Sequence, residues 1–85
     1  MWSYYIVYQG RKRGIFSDWE ICRQSVNGYS GAIHRKVNSW AEVCDEILLN
    51  MSHEVPPYHV KIGSVDRTFY TYEKFYDYVT NRKYR

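Results

Sequence analysis

The 85-residue chain is short of almost everything that catalytic or covalently stapled small proteins rely on. Its two cysteines, Cys22 and Cys44, fall inside helical apolar patterns with no framework spacing, so two reduced, buried thiols are expected rather than a disulfide. The histidines His34, His53 and His59 are scattered and combine with the cysteines into no zinc-binding spacing, so no metal or other cofactor is expected. A phosphate-cradling P-loop is excluded, because Gly10-Arg11-Lys12-Arg13-Gly14 lacks the Gly-Lys-Ser/Thr ending. The carboxylates lie mostly on predicted helix surfaces and do not converge as two-metal hydrolysis needs. No catalytic residue is assigned, and the chain is read as a non-enzyme. The N-terminus has no long apolar run, which argues against a signal peptide and a membrane span and for an intracellular protein of undetermined compartment.

What the chain does have is tyrosine, ten copies of it, and segregated charge around a formal net charge of +3. Tyrosine packs its ring while its hydroxyl reaches water, which suits both a thin core and a binding face. A chain of this length buries only about 60% of its unfolded surface, which leaves room for one core and no enclosed active-site cavity. Residues 1–38 are basic, with Asp18 and Glu20 as the acids; residues 39–66 are acidic, with Lys61 as the cation; and the chain ends Arg82-Lys83-Tyr84-Arg85. Such segregation predicts one basic and one acidic face.

Tyr4-Tyr5-Ile6-Val7-Tyr8 is aromatic and β-branched and predicts a strand. Gln9 to Gly14 breaks it, and Gly14-Ile15-Phe16 resumes an extended pattern, giving a hairpin with a basic tip. Ser17 with Glu20 forms a capping box, so a helix is expected from there, with Trp19, Cys22 and Val26 on one side and Gly28 as its stop. Ile33 to Val37 reads as a third strand. A second capping box, Ser39 with Glu42, opens the clearest helix, whose stripe is Trp40, Val43, Cys44, Ile47, Leu48 and Met51. Its other side carries Glu42, Asp45 and Glu46, read as a solvated face. After Pro56-Pro57 come a strand from Tyr58 to Ile62, a turn at Gly63, a strand from Arg67, and a helix capped by Thr71 with Tyr72, Phe75, Tyr76 and Val79 on one side. The fold class is α+β: a three-stranded antiparallel sheet with two helices over residues 1–54, and a strand-turn-strand-helix extension over residues 55–85 packed on the same domain.

Basic and aromatic residues recur near the hairpin and third strand. Lys12 stands at the hairpin tip with Arg11 and Arg13, and Arg35 and Lys36 are on the strand; cations there gain free energy on phosphates by releasing counterions. Neighbours on a strand point to opposite faces, so Arg35 and Lys36 cannot both lie on one surface, although a strand edge could offer both to phosphates. Trp19, at the first turn of a helix, is either a core ring or an exposed one that packs on a sugar. The loop at Gly31 is suited to close backbone approach to ribose hydroxyls.

The run Tyr4-Tyr5-Ile6-Val7-Tyr8-Gln9-Gly10-Arg11-Lys12-Arg13-Gly14-Ile15-Phe16-Ser17-Asp18-Trp19, followed by Asn27-Gly28-Tyr29-Ser30-Gly31-Ala32 and His34-Arg35-Lys36-Val37, resembles the hybrid-binding domain at the N-terminus of eukaryotic type 1 ribonuclease H, also found in caulimovirus viroplasmin. The resemblance covers roughly residues 2–50. It implies non-catalytic, largely sequence-independent binding of RNA/DNA hybrid and double-stranded RNA through the minor groove, where A-form duplexes show their 2′-hydroxyls. It places the RNA-reading loop at Asn27 to Ala32, including Gly31, and assigns the DNA strand to Tyr5, Trp19, Arg35 and Lys36. His34 departs from a frequent Phe and bears on the preference for hybrid over double-stranded RNA; Val37, where an aromatic is frequent, is expected in the core. A second reading keeps the fold as a protein-interaction module, with a partner on the acidic helix or the tyrosine-rich extension.

Overall fold

A computed structural model describes residues 3–81. The elements in chain order are β1 (Tyr4–Gln9), β2 (Arg13–Phe16), α1 (Trp19–Val26), β3 (Ile33–Val37), α2 (Trp40–Asn50), β4 (Tyr58–Ile62), β5 (Val65–Phe69) and α3 (Tyr72–Thr80). The α+β class holds, but the sheet is five-stranded and mixed, in the order β3-β1-β2-β4-β5, not three-stranded and antiparallel. β1 pairs antiparallel with both β2 and β3, as expected. The difference is β4, which runs parallel along the outer edge of β2 and carries β5 beyond it as an antiparallel partner. An open edge of unpaired N–H and C=O groups is a template for another strand, and the extension supplies that strand from the same chain.

Alternation along the strands sorts their side chains to two faces. On one face Ile6, Ile15, Tyr58 and Val60 meet Val43 and Ile47 of α2 and Phe75 and Val79 of α3 in a single buried cluster. On the other, Val7 and Phe16 meet Cys22 of α1 in a smaller one. The molecule is therefore layered, α1 over one face and α2 with α3 over the other. Each fully buried aliphatic or Phe side chain in these clusters contributes about 1.5–3 kcal/mol.

Gly14 marks the β2–β4 seam. Its φ is +147°, and a Cβ placed there would lie 1.9 Å from the His59 carbonyl oxygen, so the close strand approach requires glycine. Ser17 helps to fasten the seam. Its N–H donates to Lys61 O (3.0 Å), and its Oγ accepts from the Gly63 N–H (3.1 Å). Ser17 is accordingly not the cap of α1; Asp18 is, accepting from the Glu20 N–H at 2.9 Å. The caps of α2 and α3 are the expected ones, Ser39 accepting from the Glu42 N–H and Thr71 from the Lys74 N–H, both at 3.2 Å.

The α2 stripe is narrower than its periodicity suggested. Val43, Ile47 and Met51 are buried, whereas Leu48 is 52% exposed. Cys44 is half-buried rather than buried, and Trp40 is a half-buried flank residue, its Nε1 donating to Val79 O (3.0 Å) and its ring edge-on to Tyr4 at 5.3 Å. Both side chains face the end of α3, which takes up room that a lone helix on a three-stranded sheet would have left open. The basic run Arg82 to Arg85 lies outside the described residues.

Candidate nucleic-acid interface

The antiparallel register of β1 and β3 decides which candidate residues meet. Tyr5 is opposite Lys36, Val7 is opposite His34, and Ile6 is opposite Arg35. Cross-strand partners share a face, so Tyr5, His34 and Lys36 lie on the α1 side and Arg35 on the α2 side. Asp18 caps α1 so that Trp19 is its first residue, beside β1 and β3. There the Trp19 ring is 5.5 Å from Tyr5 and 5.8 Å from His34, and Trp19 is 44% exposed. The result is an open three-ring surface of Tyr5, Trp19 and His34 with the Lys36 cation on the same face.

The segment from Asn27 to Ala32 leads from α1 into β3. The Asn27 N–H closes α1 on Arg23 O (2.7 Å), Tyr29 N–H donates to Val26 O (3.1 Å), and Ala32 N–H donates to Tyr29 O (3.1 Å). Gly28 and Gly31 take φ of +73° and +76°, the left-handed region that glycine enters without a Cβ penalty. The loop is thus a fixed double turn, and the Ala32 N–H is spent within it, so Ala32 is not a free backbone donor.

Arg11, read as one of three tip cations, instead anchors this loop. Its Nη1 donates to Asn27 O (2.6 Å) and Gln24 O (3.3 Å), and its guanidinium stands over the Tyr29 ring at 5.9 Å. Arg13 Nε donates back to Tyr8 O (3.2 Å). Lys12 remains exposed while its backbone is pinned to Ser25 Oγ by two bonds, the N–H donating at 2.9 Å and the carbonyl accepting at 2.8 Å. Lys12 shares a shallow pocket with Ile21 and Gln24, across α1 from Trp19. It is close enough to help hold the His59 imidazole below its usual pKa, after burial as the larger cause. The structure therefore does not bring Lys12 into the ring cluster.

Arg35 has surroundings of its own. On the α2 side its Nε is 3.8 Å from Glu46 Oε2, while Glu46 Oε1 accepts from the Tyr8 hydroxyl and from Asn50 Nδ2 (2.9 Å). Glu46 is thus turned toward the sheet and not out with Glu42 and Asp45. The Tyr8 hydrogen bond above all, and then Asn50 and Arg35, hold its carboxyl below the usual range against the opposing effect of burial. Burial, followed by the carboxylate, pushes the Tyr8 phenol well above its ordinary value. The available signal was positional: Glu46 lies one turn from Val43 and Asn50 and borders the buried stripe.

Among the described residues no group of three or more His, Cys, Asp or Glu side chains is placed to hold a metal ion. No helix there is long and apolar enough to cross a membrane.

Fold and site together define a small α+β domain that presents fixed aromatic rings and a cation beside a rigid glycine turn. Residues 3–45 match the family described as the ribonuclease H1 N-terminal domain, and the chain belongs to that family. It is similar to the ribonuclease H of Saccharomyces cerevisiae, 42% identical over 40 residues, which are 47% of this chain and 12% of that protein. It is equally similar to the ribonuclease H of Crithidia fasciculata, 42% over 40 residues, or 47% of this chain and 8% of that protein. The chain thus corresponds to a small part of these relatives' length. No solved structure matches it.

Proposed function

We propose that this chain binds RNA-containing duplexes, RNA/DNA hybrid or double-stranded RNA, through the minor groove, without sequence preference and without cleaving them. The observation that carries the reading is the shared face of Tyr5, Trp19, His34 and Lys36 beside the Asn27–Ala32 turn. Exposed rings of this kind pack on sugars or bases, and a cation on the same face meets the adjoining phosphate. The turn offers backbone without a Cβ of its own at Gly28 and Gly31, flanked by the Arg11 guanidinium and the Gln9 amide, and suits close approach of a ribose hydroxyl. Arg35, on the opposite face of the same edge strand, reaches phosphate only if the duplex meets β3 edge-on. Lys12 is a peripheral contact at most. Family membership supports the same class of ligand.

The test is a gel shift over a range of salt with hybrid, RNA and DNA duplexes of equal length. Tighter binding of the two RNA-containing duplexes supports the reading. Equal affinity for all three means that charge alone acts, and no binding to any leaves the fold as a protein-interaction module.

A further inference from the structure

We infer that Glu46 sets the selectivity of this interface by restraining Arg35, an inference that rests on the duplex-binding reading above. Glu46 borders the β3 edge with a charge that opposes the ligand, and it is held firmly. Tyr8 and Asn50 both donate to Oε1, and Oε2 faces Arg35 Nε at 3.8 Å. With Tyr8, His34, Arg35 and Asn50 it lines a groove of about 440 Å³ that opens along the edge strand. A phosphate backbone passing Arg35 therefore also passes this carboxylate.

Two effects follow from that placement. The carboxylate partly offsets the charge of the solvent-exposed Arg35, and it repels a phosphate that enters the groove. Both weaken the part of binding that any nucleic-acid backbone provides. Neither touches the Trp19 and Tyr5 rings, which lie on the other face, while His34 borders both that face and the groove. Restraining the backbone term leaves more of the discrimination to contacts that depend on ribose. Glu46 is thus a selectivity-setting residue that acts through Arg35, and Tyr8 and Asn50 keep it in place.

The experiment compares wild type with Glu46→Gln on hybrid, RNA and DNA duplexes across a salt series. The glutamine keeps the shape and can still accept from Tyr8. Expected are an affinity rise of about three- to tenfold for DNA duplex, a smaller rise for hybrid, and a salt slope steeper by up to about one unit. In an Arg35→Ala background the same change should lose most of its effect. A melting temperature measured alongside separates folding from binding, and Tyr8→Phe, which leaves the charge and removes one tether, serves as a second variant. Unchanged affinity and slope in folded Glu46→Gln overturn the inference, as does weaker binding, which would make Glu46 a positive positioning group. Failure of wild type to bind any duplex would instead overturn the duplex-binding reading itself.

Discussion

The Trp19 indole leans on the Tyr5 ring at 5.5 Å between centroids and 50° between planes, so the first residue of α1 is braced by β1 while remaining open to solvent. Trp19→Ala should therefore cost little stability and much duplex affinity. Trp40→Ala should do the reverse, because it removes a half-buried ring against Tyr4 and a hydrogen bond to Val79 O. Buried large-to-small changes cost about 3–5 kcal/mol when complete, and Trp40 should approach the lower end. Paired thermal melts and titrations check this. A large melting-temperature loss at Trp19 with none at Trp40 would exchange the two roles.

Lys36 and Arg35 occupy opposite faces, and their substitutions should not be equivalent. Lys36→Ala should flatten the plot of log K against log salt by about one unit, and Arg35→Ala by less, because Glu46 already offsets its charge. The double variant should lose about one to two units in total. Both side chains are exposed, so circular dichroism melts should stay near wild type. An unchanged slope in the folded double variant would remove β3 from the interface.

The extension is proposed to be indispensable to the first 54 residues. Tyr58, Val60, Phe75 and Val79 are fully buried in the same cluster as Ile6, Ile15, Val43 and Ile47. A fragment of residues 1–54 should show no cooperative melt. Gly14→Ala should be strongly destabilising in the full chain, since its Cβ meets the His59 backbone. A fragment that melts cooperatively and binds duplex would show that the two segments are separable.

His59 gives the fold a mild acid sensitivity. Burial, then Lys12, depress its pKa from 6.5, with Lys61 acting the same way and Asp66 against, so the folded state prefers the neutral ring. The resulting stability is fully present above pH 6.5 and is lost as pH falls through the depressed folded value. Glu46, also depressed, loses its contribution only below its ordinary 4.5. Urea melts at pH 7.5 and about pH 5 should therefore show a loss in wild type that is smaller in His59→Gln. An identical loss in both would assign the sensitivity to other groups.

Local rules made much of this legible. The strand at Tyr4, the caps at Ser39 and Thr71 and the stop at Gly28 follow from propensity and side-chain hydrogen bonding over a few residues. The separation of Arg35 from Lys36 follows from strand alternation alone. What failed was non-local. Pairing of Arg13 with Tyr58 leaves no periodic trace, so the sheet was undercounted, and Ser17 looked like a cap because its real partners, Lys61 and Gly63, lie far along the chain. The anchoring role of Arg11 and the inward turn of Glu46 leave little local signal either, because their partners are a loop carbonyl and a tyrosine on another element.

The parallel seam between β2 and β4 also carries a timetable. On the ribosome β1, β2 and α1 emerge first, yet β2 gains its second neighbour only after β3, α2 and the Pro56-Pro57 segment have followed. Through that interval the nascent chain shows a bare strand edge beside Ile15, the condition under which two chains pair by mistake. Contacts of such long sequence separation also slow folding. Yield of soluble protein should thus depend on how promptly residues 58–62 arrive, and slowing translation just ahead of them would tax the cell more than slowing it anywhere after.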